Sequence, residues 1–251
     1  MITALHTATV PPLAPVSETL ARMRRRYPVW GLHDPLVVDD PSGWLPATAL
    51  VDGTALDGFL AAAGRRWQAP PHVAAALAWK CYAYWVALPA VVGYATVNRV
   101  PLLTPDAVLV RYGDRAPFLR VALHYPVVLT GDRDDLRAAL RAALYDTHLS
   151  PLVDTLHDRV RLGRRTLLGS LASGIAHGLS RAAGSLPEPA RPLAEGLLST
   201  LDIADLVELS ERPGGRLHVQ RRTCCLAFAL PEPRICTGCC IAVSTHTAGG
   251  N

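Results

Sequence analysis

Lysine is almost absent: of 25 basic residues only Lys80 is a lysine, and the rest are arginines. Acidic residues number 21, so the formal net charge is just +4. No basic run is longer than Arg24-Arg25-Arg26, which is too short to track a nucleic-acid backbone. The arginine skew has two readings, a GC-rich genome or a set of guanidinium groups suited to anionic ligands such as carboxylates and catecholates. The chain also lacks a glycine-rich phosphate loop and an acidic cluster for ATP, which argues against an ATP-using synthetase.

Long apolar runs are scarce as well. Met1-Ile2-Thr3-Ala4-Leu5-His6 has no basic start followed by an apolar stretch, so export is not expected. The longest uncharged run, Cys81 to Asn98, is at the lower limit for a membrane span and holds Pro89 and Gly93, so a buried core helix is expected. These absences point to a cytoplasmic protein without stable membrane insertion, with room for contact at a membrane surface. In that reducing compartment, clustered cysteines serve as metal ligands or redox groups rather than structural disulfides.

What is present is apolar: half of the 251 residues are hydrophobic, enough for one sizeable core. The expected class is mainly α with a small central antiparallel hairpin, an α+β fold ending in a cysteine-rich segment. Residues 1–16 read as an irregular lead-in, 17–220 as a mostly helical domain, 221–243 as a metal-binding segment on the same domain, and 244–251 as a tail. Helices are expected over Ser17–Arg26, Asp57–Trp67 after a cap at Thr54, and His72–Asn98 with a bend at Pro89. Between Trp30 and Asp52 the run Asp39–Pro46 reads as a surface loop, with Trp44 as a packed anchor. Val108–Tyr112 and Phe118–Leu123 form a hairpin within 102–123. Helices then follow from Leu136 to Leu144, from an N-cap at Ser150 with Pro151 to Arg161, and over Arg164–Ala183 and Pro192–Leu209.

Five of the six cysteines fall within 17 residues, as Cys224-Cys225, ten residues, then Cys236-Thr237-Gly238-Cys239-Cys240. The Cys-x-x-Cys turn can aim two thiolates at one metal, whereas consecutive cysteines tend to point apart. Spacing alone leaves a [2Fe–2S] site and structural zinc level, with a redox disulfide behind them. Only one half has a zinc-knuckle form, and the plant-type ferredoxin spacing is absent.

Arg221-Arg222-Thr223-Cys224-Cys225-Leu226, an apolar stretch, Leu230-Pro231 and the closing Cys-x-x-Cys resemble the cluster segment of the FhuF-like ferric siderophore reductases. Weaker similarity runs through Leu149-Ser150-Pro151-Leu152, Leu167–Ala172 and Trp79–Leu123, so the resemblance spans about two-thirds of the chain with only the cysteine segment specific. It implies a [2Fe–2S] cluster on Cys224, Cys225, Cys236 and Cys239. The chain departs from the pattern at Cys240, where a non-ligand is expected, which makes Cys240 the alternative fourth ligand. The implied activity is one-electron reduction of a ferric siderophore, with electrons from a ferredoxin, a flavoprotein or an NAD(P)H-dependent reductase. An iron–sulfur sensor or a zinc-stapled binding module without turnover is the alternative.

Such a reaction needs no nucleophile or general base. Arg221, Arg222 and Arg234 flank the cysteines and are the candidate substrate contacts, and their charge would favour the reduced cluster. His124, His148, His157 and His177 read as surface residues, Trp79 and Trp85 as core, and Cys81 as a small buried hydrophobe.

Overall fold

The computed structural model describes residues 3–5, 13–27, 29–212 and 216–241. The expected tail and most of the lead-in lie outside them. The fold is mainly α with small sheets, as the residue periodicity indicated.

Its axis is α4, Pro71–Val97, where apolar residues recur on every side, so the helix is wrapped by others rather than laid on a surface. Among the described residues it is the one helix long and apolar enough to cross a membrane, but 83% of its apolar window is buried inside the protein. Around it pack α1 (Ala14–Arg24), α3 (Leu56–Trp67) and α7 (Arg164–Ala182). The Trp79 indole N–H donates to the Leu167 carbonyl at 2.7 Å, fixing α4 against α7.

Strands β5 (Val108–Tyr112) and β6 (Leu119–Leu123) form the expected hairpin, with Val108 opposite Leu123 and Tyr112 opposite Leu119. The expected loop, Asp39–Pro46, holds only the two-residue strand β3 (Leu45–Pro46); β2 (Leu32–Val37) precedes it and the short α2 (Thr48–Val51) follows, giving a sheet of order β2-β6-β5-β3. β2 pairs parallel with β6, and β3 is a two-residue edge on β5. Trp44 is an anchor as expected, with the Arg111 guanidinium 4.3 Å from its ring centroid. A second sheet joins β1 (Thr3–Leu5), β7 (Val128–Thr130) and β4 (Arg99–Pro101).

Two expected helix starts differ. Thr54 spends its hydroxyl on the Asp52 carboxylate and the Ala49 carbonyl, and α3 begins after Ala55. Ser150 does not cap a new helix, because α5 (Arg133–Leu140) runs through a π-helical stretch, Arg141–Leu149, into α6 (Ser150–Val160). The bond from Ser150 N–H to the Tyr145 carbonyl carries the chain into Pro151 without a break. That wide turn puts His148 in the core: its Nδ1–H donates to the Leu103 carbonyl at 2.7 Å, so Nε2 accepts the Tyr82 hydroxyl at 2.6 Å. His148 is therefore a satisfied core histidine and not the surface residue the sequence suggested.

The helix expected over Pro192–Leu209 ends early. Only Ala190–Thr200 is helical (α8), and the chain then turns into an antiparallel hairpin, β8 (Val207–Arg212) and β9 (Arg216–Arg221), which leads straight into the cysteines.

Candidate functional site: a thiol cluster beside a basic cleft

Strand β9 lies on α7, and the cysteine segment folds back over its end. Thr223 fits against α7 because residue 169 is glycine, where a Cβ would meet the Thr223 Oγ1 at 1.9 Å. The buried Thr223 hydroxyl finds no hydrogen-bond partner among the described residues. Leu226 adopts a left-handed conformation at φ 62°, which turns its N–H onto the Cys224 Sγ at 3.3 Å. A short 3-10 turn, Ala227–Ala229, follows, and Arg234 N–H closes the loop onto the Ala227 carbonyl at 3.0 Å.

The Cys-x-x-Cys turn closes by the Cys239 N–H donating to the Cys236 carbonyl at 3.1 Å. Gly238, at φ 72°, is required there: its carbonyl accepts from Arg221 N–H at 2.9 Å, and a Cβ would sit 1.9 Å from the Val219 carbonyl oxygen. Val73, Leu77, Ala227 and Leu230 bury Cys225 in a small apolar cluster beside the first turns of α4.

These constraints bring the Sγ atoms of Cys225 and Cys236 to 3.7 Å. A metal–thiolate bond of about 2.3 Å puts two thiolates on one tetrahedral ion about 3.8 Å apart, so this is ligand-pair spacing. The Cys236 thiol donating to Cys225 holds the Cys225 thiol well below its ordinary range, with the Lys80 charge helping and burial opposing. The same bond pushes Cys236 up. Burial, and then the neighbouring Cys225, Cys240 and Cys239, raise Cys224, so these thiols share one neighbourhood. The donor set is all soft sulfur, which suits iron–sulfur clusters and zinc. Among the described residues no group of three or more His, Cys, Asp and Glu side chains gathers closely enough to hold a metal ion.

Cys236 also lines a cleft of about 720 Å3 between α4, α7 and the cysteine loop, a size suited to a small-molecule ligand. Lys80, Tyr84 and Trp85 of α4 and His177 and Arg181 of α7 line it, with Arg234 on the loop side. Arg181 is positioned by its bond to the Tyr84 hydroxyl at 2.8 Å and lies 4.6 Å from the Tyr27 ring centroid. Burial, and then the charges of Arg181, Lys80 and Arg221, push His177 down to about 4, so it is neutral near pH 7.

The sequence candidates separate here. Of Cys224, Cys225, Cys236, Cys239 and Cys240, the structure sets the sulfurs of Cys225 and Cys236 against each other. Arg234 lines the cleft, but Arg221 is only 3% exposed and serves as a strut, donating to the Thr223 carbonyl at 3.1 Å and the Ser170 hydroxyl at 3.0 Å. Arg222 is exposed beside Glu208, 3.9 Å away, and is not part of the cleft wall. Lys80, His177, Arg181 and Tyr84 were missed, and Trp85 is buried yet lines the cleft. The i, i+4 pairs Lys80/Tyr84 and His177/Arg181 were the available signal, each placing a polar pair on one side of its helix.

The class defined by this geometry is a helical α+β protein with a paired-cysteine site opening onto a basic, aromatic cleft. No protein-family model and no curated protein matches the chain.

Proposed function

We propose that the chain is a ferric siderophore reductase, working in the cytoplasm with a [2Fe–2S] cluster on Cys224, Cys225, Cys236 and Cys239. The observation that carries this reading is the Cys225–Cys236 pair at 3.7 Å, with Cys236 on the wall of a cleft large enough for a chelate. Two thiolates at this spacing suit one iron of a two-iron cluster, which takes its thiolates in pairs. The similarity of the cysteine segment to the FhuF-like reductases adds to this. When bound, such a cluster supplies a one-electron carrier.

The protein's own groups do the rest. Lys80 and Arg221 place positive charge around the thiolates, which favours the more negative, reduced state. Val73, Leu77 and Leu230 keep water from Cys225 on one side, while the cleft leaves Cys236 open to a ligand on the other. A ferredoxin, a flavoprotein or an NAD(P)H-dependent reductase would supply the electron that a bound cluster would pass to substrate Fe(III). Fe(II) is held far less tightly by hard siderophore oxygens, so the metal is released. No side chain is asked to act as nucleophile or general base, which agrees with the histidines: His124, His148 and His157 each bond a main-chain carbonyl through Nδ1.

The test is anaerobic. Chemically reduced protein is mixed with ferric hydroxamate, catecholate and carboxylate complexes in the presence of an Fe(II) chelator. Reoxidation at a rate set by siderophore concentration, with Fe(II) trapped, is expected. A reduced cluster unchanged over minutes by every complex would overturn the reductase reading in favour of a sensor.

A further inference from the structure

The cleft is unlike the rest of the surface in its charge. Most arginines whose contacts are described sit against carboxylates, as Arg24 does with Asp34, Arg164 with Asp154 and Arg191 with Glu195. Lys80, Arg181 and Arg234 have no carboxylate partner among the described residues, and no Asp or Glu lines the cleft. Uncompensated like charges on a concave wall repel one another and focus a positive potential inward, a cost that an anionic ligand offsets.

The other lining groups are apolar and aromatic. Trp85 is set edge-on to Tyr84 at 4.7 Å and to Trp30 at 5.0 Å, and Arg181 is held between the rings of Tyr27 and Tyr84. Val29 and Ile235, 52% and 60% exposed, are also on the lining and present apolar surface to solvent. A hydrated anion alone would gain little from such walls; a ligand whose charge is spread over aromatic rings uses both features.

Resting on the reductase reading, we infer that the cleft takes an anionic aromatic chelate, the tris-catecholate class of siderophore. Three catecholate dianions outweigh the charge of a trivalent ion, so the complex is a large aromatic anion. A tris-hydroxamate of the same metal is neutral, and a citrate complex is anionic but has no rings. Arg181 and Arg234 bind the catecholate oxygens, Tyr84 and Trp85 face the rings, and the complex is held beside Cys236. His177, neutral at working pH, supplies a hydrogen-bonding group without adding charge.

Binding is separated from electron transfer by using gallium(III), which has the charge of Fe(III) but accepts no electron here. The purified protein is titrated calorimetrically with the gallium(III) complexes of a hexadentate tris-catecholamide, a hexadentate tris-hydroxamate and citrate. The catecholamide complex should bind at least ~10-fold more tightly than either other complex, and added salt should weaken it. Arg181→Gln and Arg234→Gln should each weaken it by about tenfold. Arg191→Gln, which removes the same charge from α8 outside the cleft lining, should leave binding unchanged. Equal binding of the hydroxamate would overturn the charge argument, and equal binding of citrate the aromatic one. Catecholamide binding indifferent to both cleft arginines would overturn the site. If gallium complexes bind as stated but their iron counterparts are not reduced, the reductase reading fails and the ligand class stands. If iron hydroxamates are reduced while catecholates do not bind, the reverse holds.

Discussion

The ammonium group of Lys80, the only lysine in the chain, lies 3.9 Å from the Sγ of Cys225. It reaches there from the third turn of α4, across 145 residues of sequence, and also lines the cleft. One cation therefore faces both the thiolate pair and any ligand beside it. A positive charge so close favours whichever state of the centre is more negative. Lys80→Met should lower the reduction potential of the iron-loaded protein by on the order of 50 mV, the equivalent of ~1 kcal/mol, and Lys80→Arg should restore most of it. A redox titration followed by absorbance measures this; an unchanged potential in Lys80→Met would mean that the charge is screened from the centre.

Serine replacements test the ligand assignment. Exchanging a soft thiolate for a harder oxygen at Cys224, Cys225, Cys236 or Cys239 should remove most of the iron. Cys240→Ser should keep the normal spectrum, and the Cys239/Cys240 double replacement shows whether Cys240 substitutes when Cys239 is missing. Burial pushes the Cys81 thiol up to about 11, so it is not ionised at working pH, and Cys81→Ser should retain full iron content. Loss of iron from Cys240→Ser with retention in Cys239→Ser would reassign the fourth ligand.

Gly238 is the strictest backbone requirement of the site. Gly238→Ala adds a methyl group where the Val219 carbonyl already stands and forces an L side chain to φ 72°. A loss of ~2 kcal/mol or more in stability and a poor iron content should follow, read by denaturant unfolding and metal analysis. Thr237→Ala, one residue away, is the matched control and should cost much less.

Acid should destabilise the fold through two histidines. Burial holds both His148 and His177 down to about 4, against an ordinary value of 6.5. Between those values the unfolded chain binds protons that the folded chain refuses, so stability is constant above about pH 7 and falls as pH drops towards 4. Each histidine accounts for up to ~3 kcal/mol of that loss. His177→Gln should flatten the pH dependence of unfolding in this window; an identical slope in the variant would show that His177 is protonated in the fold.

The long helices were legible because their apolar residues recur through many turns: the Asp57–Trp67, His72–Asn98 and Arg164–Ala183 readings fall within a residue or two of α3, α4 and α7. Crowding alone marked the cysteine segment, and the structure sets Cys225 and Cys236 together within it. The β8–β9 hairpin was not legible, although Val207, Leu209, Leu217 and Val219 alternate with polar residues on either side of Pro213-Gly214-Gly215. The leucines of α8 carried the helical period past its end at Thr200, and Asp202, at φ 56°, turns the chain away. The cleft was illegible for a different reason. Its wall is assembled from Val29, Trp67, α4, α7 and the cysteine loop, and no single segment carries a motif for it. Arginines next to the cysteines in sequence drew attention instead, and of those only Arg234 faces the cleft.

The most direct measurement is iron, zinc and acid-labile sulfide per chain in protein purified without oxygen, with its visible spectrum. The predicted result is a red-brown protein with about two irons and two sulfides per chain. A colourless protein holding one zinc and no sulfide would contradict the cluster.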